Sequence, residues 1–154
     1  MMLLLFRAGA DRYGIEAARV VEVGPLVDLR PAPGTVPGFL GWCNFRGRVT
    51  PVVDLSQVMA GQAARPFLST RLVFVDLPGP GGRPFRLGLA AEAVTETLQV
   101  APGELQPAGI HLPGVPYLGG VVLDGEGKMI QVIEIEKVLS DGLREALDLE
   151  GRSA

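Results

Sequence analysis

The chain has 154 residues, 47% of them apolar and 20% charged, with a formal net charge of −3. Its 21 Gly and 13 Pro exceed a fifth of the sequence, against a usual share of about 12%, and both residues interrupt helix interiors, which excludes a mainly helical protein. The apolar content excludes disorder, and the acidic balance gives no broad attraction to phosphate, so nucleic-acid binding is disfavoured.

The apolar run Met2 to Phe6 reads as a buried strand. It is too short for a signal peptide, lacks a basic start, and meets Arg7 and Asp11 at once. Short strands follow at Tyr13 to Ile15, Arg19 to Val23 and Val27 to Leu29, the last running into Pro31, Pro33 and Gly34. Phe39 to Phe45 and Arg48 to Leu55 form a strand pair around a turn at Arg46-Gly47. Asp54 with Gln57 three residues on predicts the N-cap of a short helix through Met59. Arg71 to Leu77, a hairpin-type loop at Pro78 to Gly82 and a return through Phe85 to Leu89 come next. Val94 to Val100, Tyr117 to Leu123 and Met129 to Ile135 complete the strands. Ser140 or Asp141 caps a final short helix that docks through Leu143 and Leu147. About ten short strands at this spacing indicate an all-β fold of small barrels or a sandwich.

An internal repeat organises these strands. Residues Tyr13 to Val23 align with Leu87 to Thr97, matching Gly14 to Gly88, Val20 to Val94 and Glu22 to Glu96. Phe39-Leu-Gly41 aligns with Tyr117-Leu-Gly119, and Gly47 to Leu55 with Gly127 to Ile135. Two β-units of about 70 residues are implied, each small enough to need a shared core or face-to-face packing. The alignment pairs Asn44 with the apolar Val122, so only the first unit carries a polar tip.

That tip, Gly41-Trp-Cys-Asn-Phe-Arg-Gly-Arg-Val-Thr-Pro-Val-Val-Asp-Leu55, is the densest segment of the chain. Its plainest reading is an exposed hairpin, with Gly47 at positive φ and the arginines conferring solubility. Asn44 within an apolar strand requires a hydrogen-bonding purpose. The order Gly41, Asn44, Arg46, Gly47, Pro51 and Asp54-Leu55 resembles the signature of the CheW family of chemotaxis coupling proteins. Tyr13-Gly14 with Val20 and Glu22-Val23, Arg71 to Val75, and Tyr117 to Gly120 extend the resemblance over nearly the whole chain.

The resemblance implies one CheW-like domain over 1–154. It would consist of two five-stranded SH3-like β-barrels, roughly 15–85 and 86–135, completed by the terminal segments. It implies no catalysis, no cofactor and no metal. The implied role is a cytoplasmic adaptor linking the cytoplasmic tip of a methyl-accepting chemoreceptor to a CheA-type histidine kinase, without membrane insertion of its own. By position, Val20, Glu22, Asn44, Arg46 and Gly47 would lie on or near the receptor groove, with Trp42, Phe45 and Arg48 as further contacts. Phe45, the bulky Trp42, Glu92, Glu134 and Ala90-Ala91 depart from the family pattern. They mark a divergent member, as in a non-flagellar chemosensory pathway.

Other candidates read as structural. His111 is the only histidine and has no second ligand for a metal or catalytic role. Cys43, the single cysteine, reads as an inert core thiol in a reducing compartment. Trp42 is expected in the core before it is expected at an interface. Glu134 and Glu136 are expected on one strand face as solvated charge. The competing function is a small β-barrel enclosing a small-molecule ligand, which requires a closed apolar pocket with convergent polar groups.

Overall fold

The computed structural model describes residues 1–31, 36–107, 109 and 115–148. His111 lies outside the described residues, as do Pro33 and Gly34. Ten strands are assigned: β1 (Met2–Ala8), β2 (Asp11–Glu16), β3 (Val20–Pro25), β4 (Phe39–Phe45), β5 (Arg48–Asp54), β6 (Arg71–Pro78), β7 (Pro84–Ala91), β8 (Thr97–Gln99), β9 (Leu118–Leu123) and β10 (Met129–Ile133). Two short helices, α1 (Leu55–Ala60) and α2 (Asp141–Ala146), complete the elements that matter here. Val27 to Leu29 is not a strand, and the strand expected over Val94 to Val100 contracts to three residues.

The strands form two five-stranded sheets, ordered β8-β1-β2-β10-β9 and β3-β6-β7-β5-β4. The two orders are the same list shifted by one repeat: β1 answers to β6, β2 to β7, β3 to β8, β4 to β9 and β5 to β10. The internal repeat is therefore real in three dimensions, but its units are not the sheets. Each hairpin (β1–β2 or β6–β7) pairs with the last three strands of the other unit. One join in each sheet is antiparallel, β1 on β8 and β6 on β3; the other is a short parallel ladder, Gly14 opposite Val132 and Gly88 opposite Val52. A Cβ at Gly14 would lie 3.1 Å from Leu3 Cδ1, and one at Gly88 3.1 Å from Phe74 Cε1. This close approach accounts for the repeated glycine.

Each sheet curls shut through one bridge. The N–H groups of Arg30 and Trp42 donate to each other's carbonyls at 2.8 and 3.0 Å, joining the chain beyond β3 to β4. Gln106 and Val121 do the same in the other sheet, at 2.9 and 2.7 Å. Because Trp42 turns its own N–H and C=O outward to Arg30, no ladder bond is lost where it faces Pro51. β5 is thus an interior strand that accommodates Pro51, and its pairing with β7 starts one residue later, at Val52.

Closure divides the apolar residues among three cores. One lies between the sheets and takes Phe6, Ile15, Val53, Val73, Leu89 and, from α2, the fully buried Leu143. The other two fill the barrels: Leu3, Leu5, Val122 and Ile130 in the first, and Cys43, Phe45, Val52, Leu72 and Phe74 in the second. The run Leu72 to Val75 in β6 is apolar throughout because Leu72 and Phe74 point into a barrel while Val73 and Val75 point to the inter-sheet core. The helix caps are as the sequence implies. Asp54 Oδ1 accepts from Gln57 N at 3.2 Å, and Ser140 Oγ from Leu143 N at 3.2 Å.

Candidate functional site

The β4–β5 connection is a two-residue turn in which Phe45 pairs with Arg48. Both central residues have positive φ, 50° at Arg46 and 83° at Gly47. That is the mirror-image turn that matches strand twist. Gly47 adopts this geometry freely, whereas Arg46 is held in a region that side chains disfavour. Asn44 supplies part of the restraint: its Oδ1 accepts the Gly47 N–H at 2.7 Å. Its polarity in an apolar strand therefore has a local structural use.

The pairing also corrects the alignment. Asn44 faces Val49 as Leu123 faces Met129, so its equivalent is Leu123, not Val122. In the second unit the turn is held by Asp124, whose Oδ1 accepts from Glu126 N and Lys128 N at 2.8 and 2.9 Å. Each repeat thus needs a turn-bracing side chain, but only the first adds an arginine at the tip.

Arg46 forms an ion pair with Glu22 of β3, and the hydrogen bond that it donates to that carboxylate holds the guanidinium pKa above its ordinary value. Its Cζ lies 5.8 Å from the ring centroid of Phe45, which is buried and stacks on Phe74 at 4.2 Å. Arg86 approaches the same ring at 5.4 Å while its Nε and Nη2 donate to Asp76 Oδ1 and Oδ2 at 2.7 and 3.0 Å. That fork lowers the Asp76 pKa and raises that of Arg86. The structure thus brings Glu22, Phe45, Arg46 and Arg48 to one end of the second barrel and adds Asp76, Arg86 and Phe74. Sequence reading missed these three. The signal was present, since a hairpin folding about Gly79 to Arg83 sets Asp76 opposite Arg86.

Two expected members stand apart. Val20 pairs with Val75 beyond a bulge in β3 and packs on the inter-sheet core. Trp42 is not in any of the three cores. Alternation along β4 turns Cys43 and Phe45 inward and leaves Trp42 half-buried on the outer face. There it meets Phe39 edge-on at 5.3 Å and lines a shallow cleft of about 320 Å³ with Asp28, Arg30 and Val49. Cys43 is buried, and desolvation raises its thiol pKa. Glu134 and Glu136 lie past the end of β10 rather than on a strand face, and pair with Lys137 and Arg19. No group of His, Cys, Asp and Glu able to hold a metal occurs among the described residues. No helix among them is long and apolar enough to cross a membrane.

A family model described as CheW-like domain matches residues 2–142. The chemotaxis protein CheW of Rhizobium meliloti is 28% identical over 145 residues, covering 94% of this chain and 90% of that protein. Protein FrzA of Myxococcus xanthus is 28% identical over 144 residues, covering 92% and 87%. The crystal structure of the scaffolding protein TtCheW from Thermoanaerobacter tengcongensis superposes with a TM-score of 0.75 at 22% identity, covering 92% of this chain and 89% of that one. The two-sheet arrangement matches the SH3-like fold of that scaffold.

Proposed function

The chain belongs to the CheW-like domain family, and from that premise we propose that it is a non-catalytic adaptor of a chemosensory signalling complex. In this reading it couples the cytoplasmic tip of a chemoreceptor to a CheA-type histidine kinase. It works in the cytoplasm and reaches the membrane-associated array only through its partners. The observation that carries the reading is the β4–β5 turn. A tip arginine, held at positive φ and paired with Glu22, stands on a buried ring at an exposed barrel end. A non-glycine residue kept in a disfavoured conformation is a feature that clusters at functional sites. The similarity to the chemotaxis protein CheW of Rhizobium meliloti supports the same role.

The competing ligand-binding barrel finds no support in the interiors. Both barrels are filled by their own side chains, Leu3, Leu5 and Ile130 in one and Cys43, Val52 and Phe74 in the other. Function by surfaces fits such a molecule better than function by an enclosed pocket.

The test is Arg46→Glu. Its side chain is 73% exposed, so the variant should keep the wild-type melting temperature within about 3 °C, the scale of a surface substitution. It should also lose binding to the cytoplasmic fragment of a chemoreceptor from the same organism. Retention of wild-type binding by the folded variant would remove the turn from the receptor contact.

A further inference from the structure

The end of the barrel that carries the turn holds more charge than the turn itself requires. Register sets Phe45 opposite Arg48, Glu22 opposite Phe74 and Asp76 opposite Arg86. Cross-strand partners project to the same side, and residues two apart share a face. Glu22, Arg48, Asp76 and Arg86 therefore all rise on the side of Phe45 and Phe74, over the filled interior.

Three guanidiniums (Arg46, Arg48 and Arg86) meet two carboxylates (Glu22 and Asp76) here, an excess of one positive charge on a chain whose net charge is −3. Asp76 is taken by both prongs of Arg86, and Glu22 by Arg46. Arg48 makes no salt bridge among the described residues, although it stands close enough for its charge to act on Asp76. The Phe45 ring, in turn, is fixed between Phe74 and the nearby Arg86 and Arg46 guanidiniums. The excess charge is thus presented on a rigid support.

Resting on the reading of this turn as a receptor contact, we infer that the barrel end recognises a carboxylate side chain on the partner. Arg48 and Arg46 are the donors, and the Asp76–Arg86 fork is a positioning pair that fixes the ring beneath them. An incoming Asp or Glu side chain finds in Arg48 a guanidinium with no competing ion pair. Arg46 can turn one edge to the newcomer while another stays on Glu22, since a guanidinium has five N–H donors.

The experiment measures binding of the chemoreceptor cytoplasmic fragment to wild type, Arg48→Gln, Arg48→Lys, Arg86→Lys and Arg46→Glu, at about 50 mM and about 500 mM salt. Wild-type affinity should fall as salt rises. Arg48→Gln should weaken binding about fivefold at low salt and lose most of that salt dependence, whereas Arg48→Lys should recover part of both. Arg86→Lys keeps a cation beside Asp76 but loses the planar fork. It should bind about fivefold more weakly than wild type with a melting temperature shifted by no more than about 3 °C. A purely structural pair would change the melting temperature and leave the salt dependence alone. Wild-type affinity in Arg48→Gln or Arg86→Lys, with Arg46→Glu inactive, would overturn the inference while sparing the turn's role in receptor binding. Wild-type binding by Arg46→Glu would instead overturn that role, and the inference with it.

Discussion

Closure of the second barrel rests on one glycine, and replacing it is a severe test of the fold that supports the site. Gly41 has φ of 121°, and a Cβ there would overlap the Arg30 carbonyl oxygen and lie 3.0 Å from Pro31 Cα. The obstacles are backbone atoms, so no rotamer change relieves them. Gly41→Ala must force Arg30 away from β4 and break the two bonds that it exchanges with Trp42, at 2.8 and 3.0 Å. Those bonds have a net value of about 1 kcal/mol each, and the disfavoured φ adds about 1–2 kcal/mol. The sum, about 3–4 kcal/mol, is a large part of the 5–15 kcal/mol typical of a domain. For a chain of this length it corresponds to a melting temperature lower by about 6–16 °C. Gly47→Ala is the control. Its φ is also positive, but a Cβ there has nothing within 4 Å, so only the conformational cost of about 1–2 kcal/mol remains. Urea unfolding of both variants, analysed with a common slope, gives the comparison. A Gly41→Ala loss no larger than that of Gly47→Ala would refute the closed barrel.

Two further outcomes follow from the same geometry. Cys43 is 5% exposed and its thiol pKa is raised by burial. Iodoacetamide at pH 8 should therefore label it at least about tenfold more slowly in the folded protein than in urea, and equal rates would place it outside the barrel. The fork from Arg86 holds Asp76 below its ordinary pKa of 3.8, so the folded state binds that proton less readily than the unfolded chain. The ionised pair adds stability above pH 3.8 and loses it as the pH falls through the lower folded value. Asp76→Asn should reduce stability at pH 7 and flatten the acid limb of a stability-versus-pH curve, and an unchanged limb would contradict the pairing.

Much of this architecture is legible in the sequence, and what is not has a common cause. The strands, both helix caps and the repeated glycines are local signals, carried by alternation, an Asp-x-x-Gln spacing and tight turns. The exchange of strands between the units is not local. Gly88 lies nearer in sequence to its own repeat than to Val52, with which it pairs, and no propensity reports such a parallel join. Trp42 shows a different failure. Its size argues for the core, but the period of two counted from Cys43 and Phe45 turns it outward, and the period prevails. Asn44 stands out in β4 for its polarity, yet its acceptance of the Gly47 N–H shows that bracing the turn already accounts for it. The charge at the barrel end divides along the same line. Glu22, Arg46 and Arg48 sit in recognisable segments, whereas Asp76 and Arg86 join them only through the register of β6 on β7.

An adaptor that couples a receptor to a kinase must hold both at once through separate surfaces. The most direct measurement mixes this chain with the chemoreceptor cytoplasmic fragment and the regulatory portion of a CheA-type kinase from the same organism, and separates the products by size-exclusion chromatography with multi-angle light scattering. One species containing all three chains is expected, and it should lose the receptor fragment but keep the kinase when Arg46→Glu replaces wild type. Binding to neither partner, or binding in which the kinase displaces the receptor, would contradict the coupling.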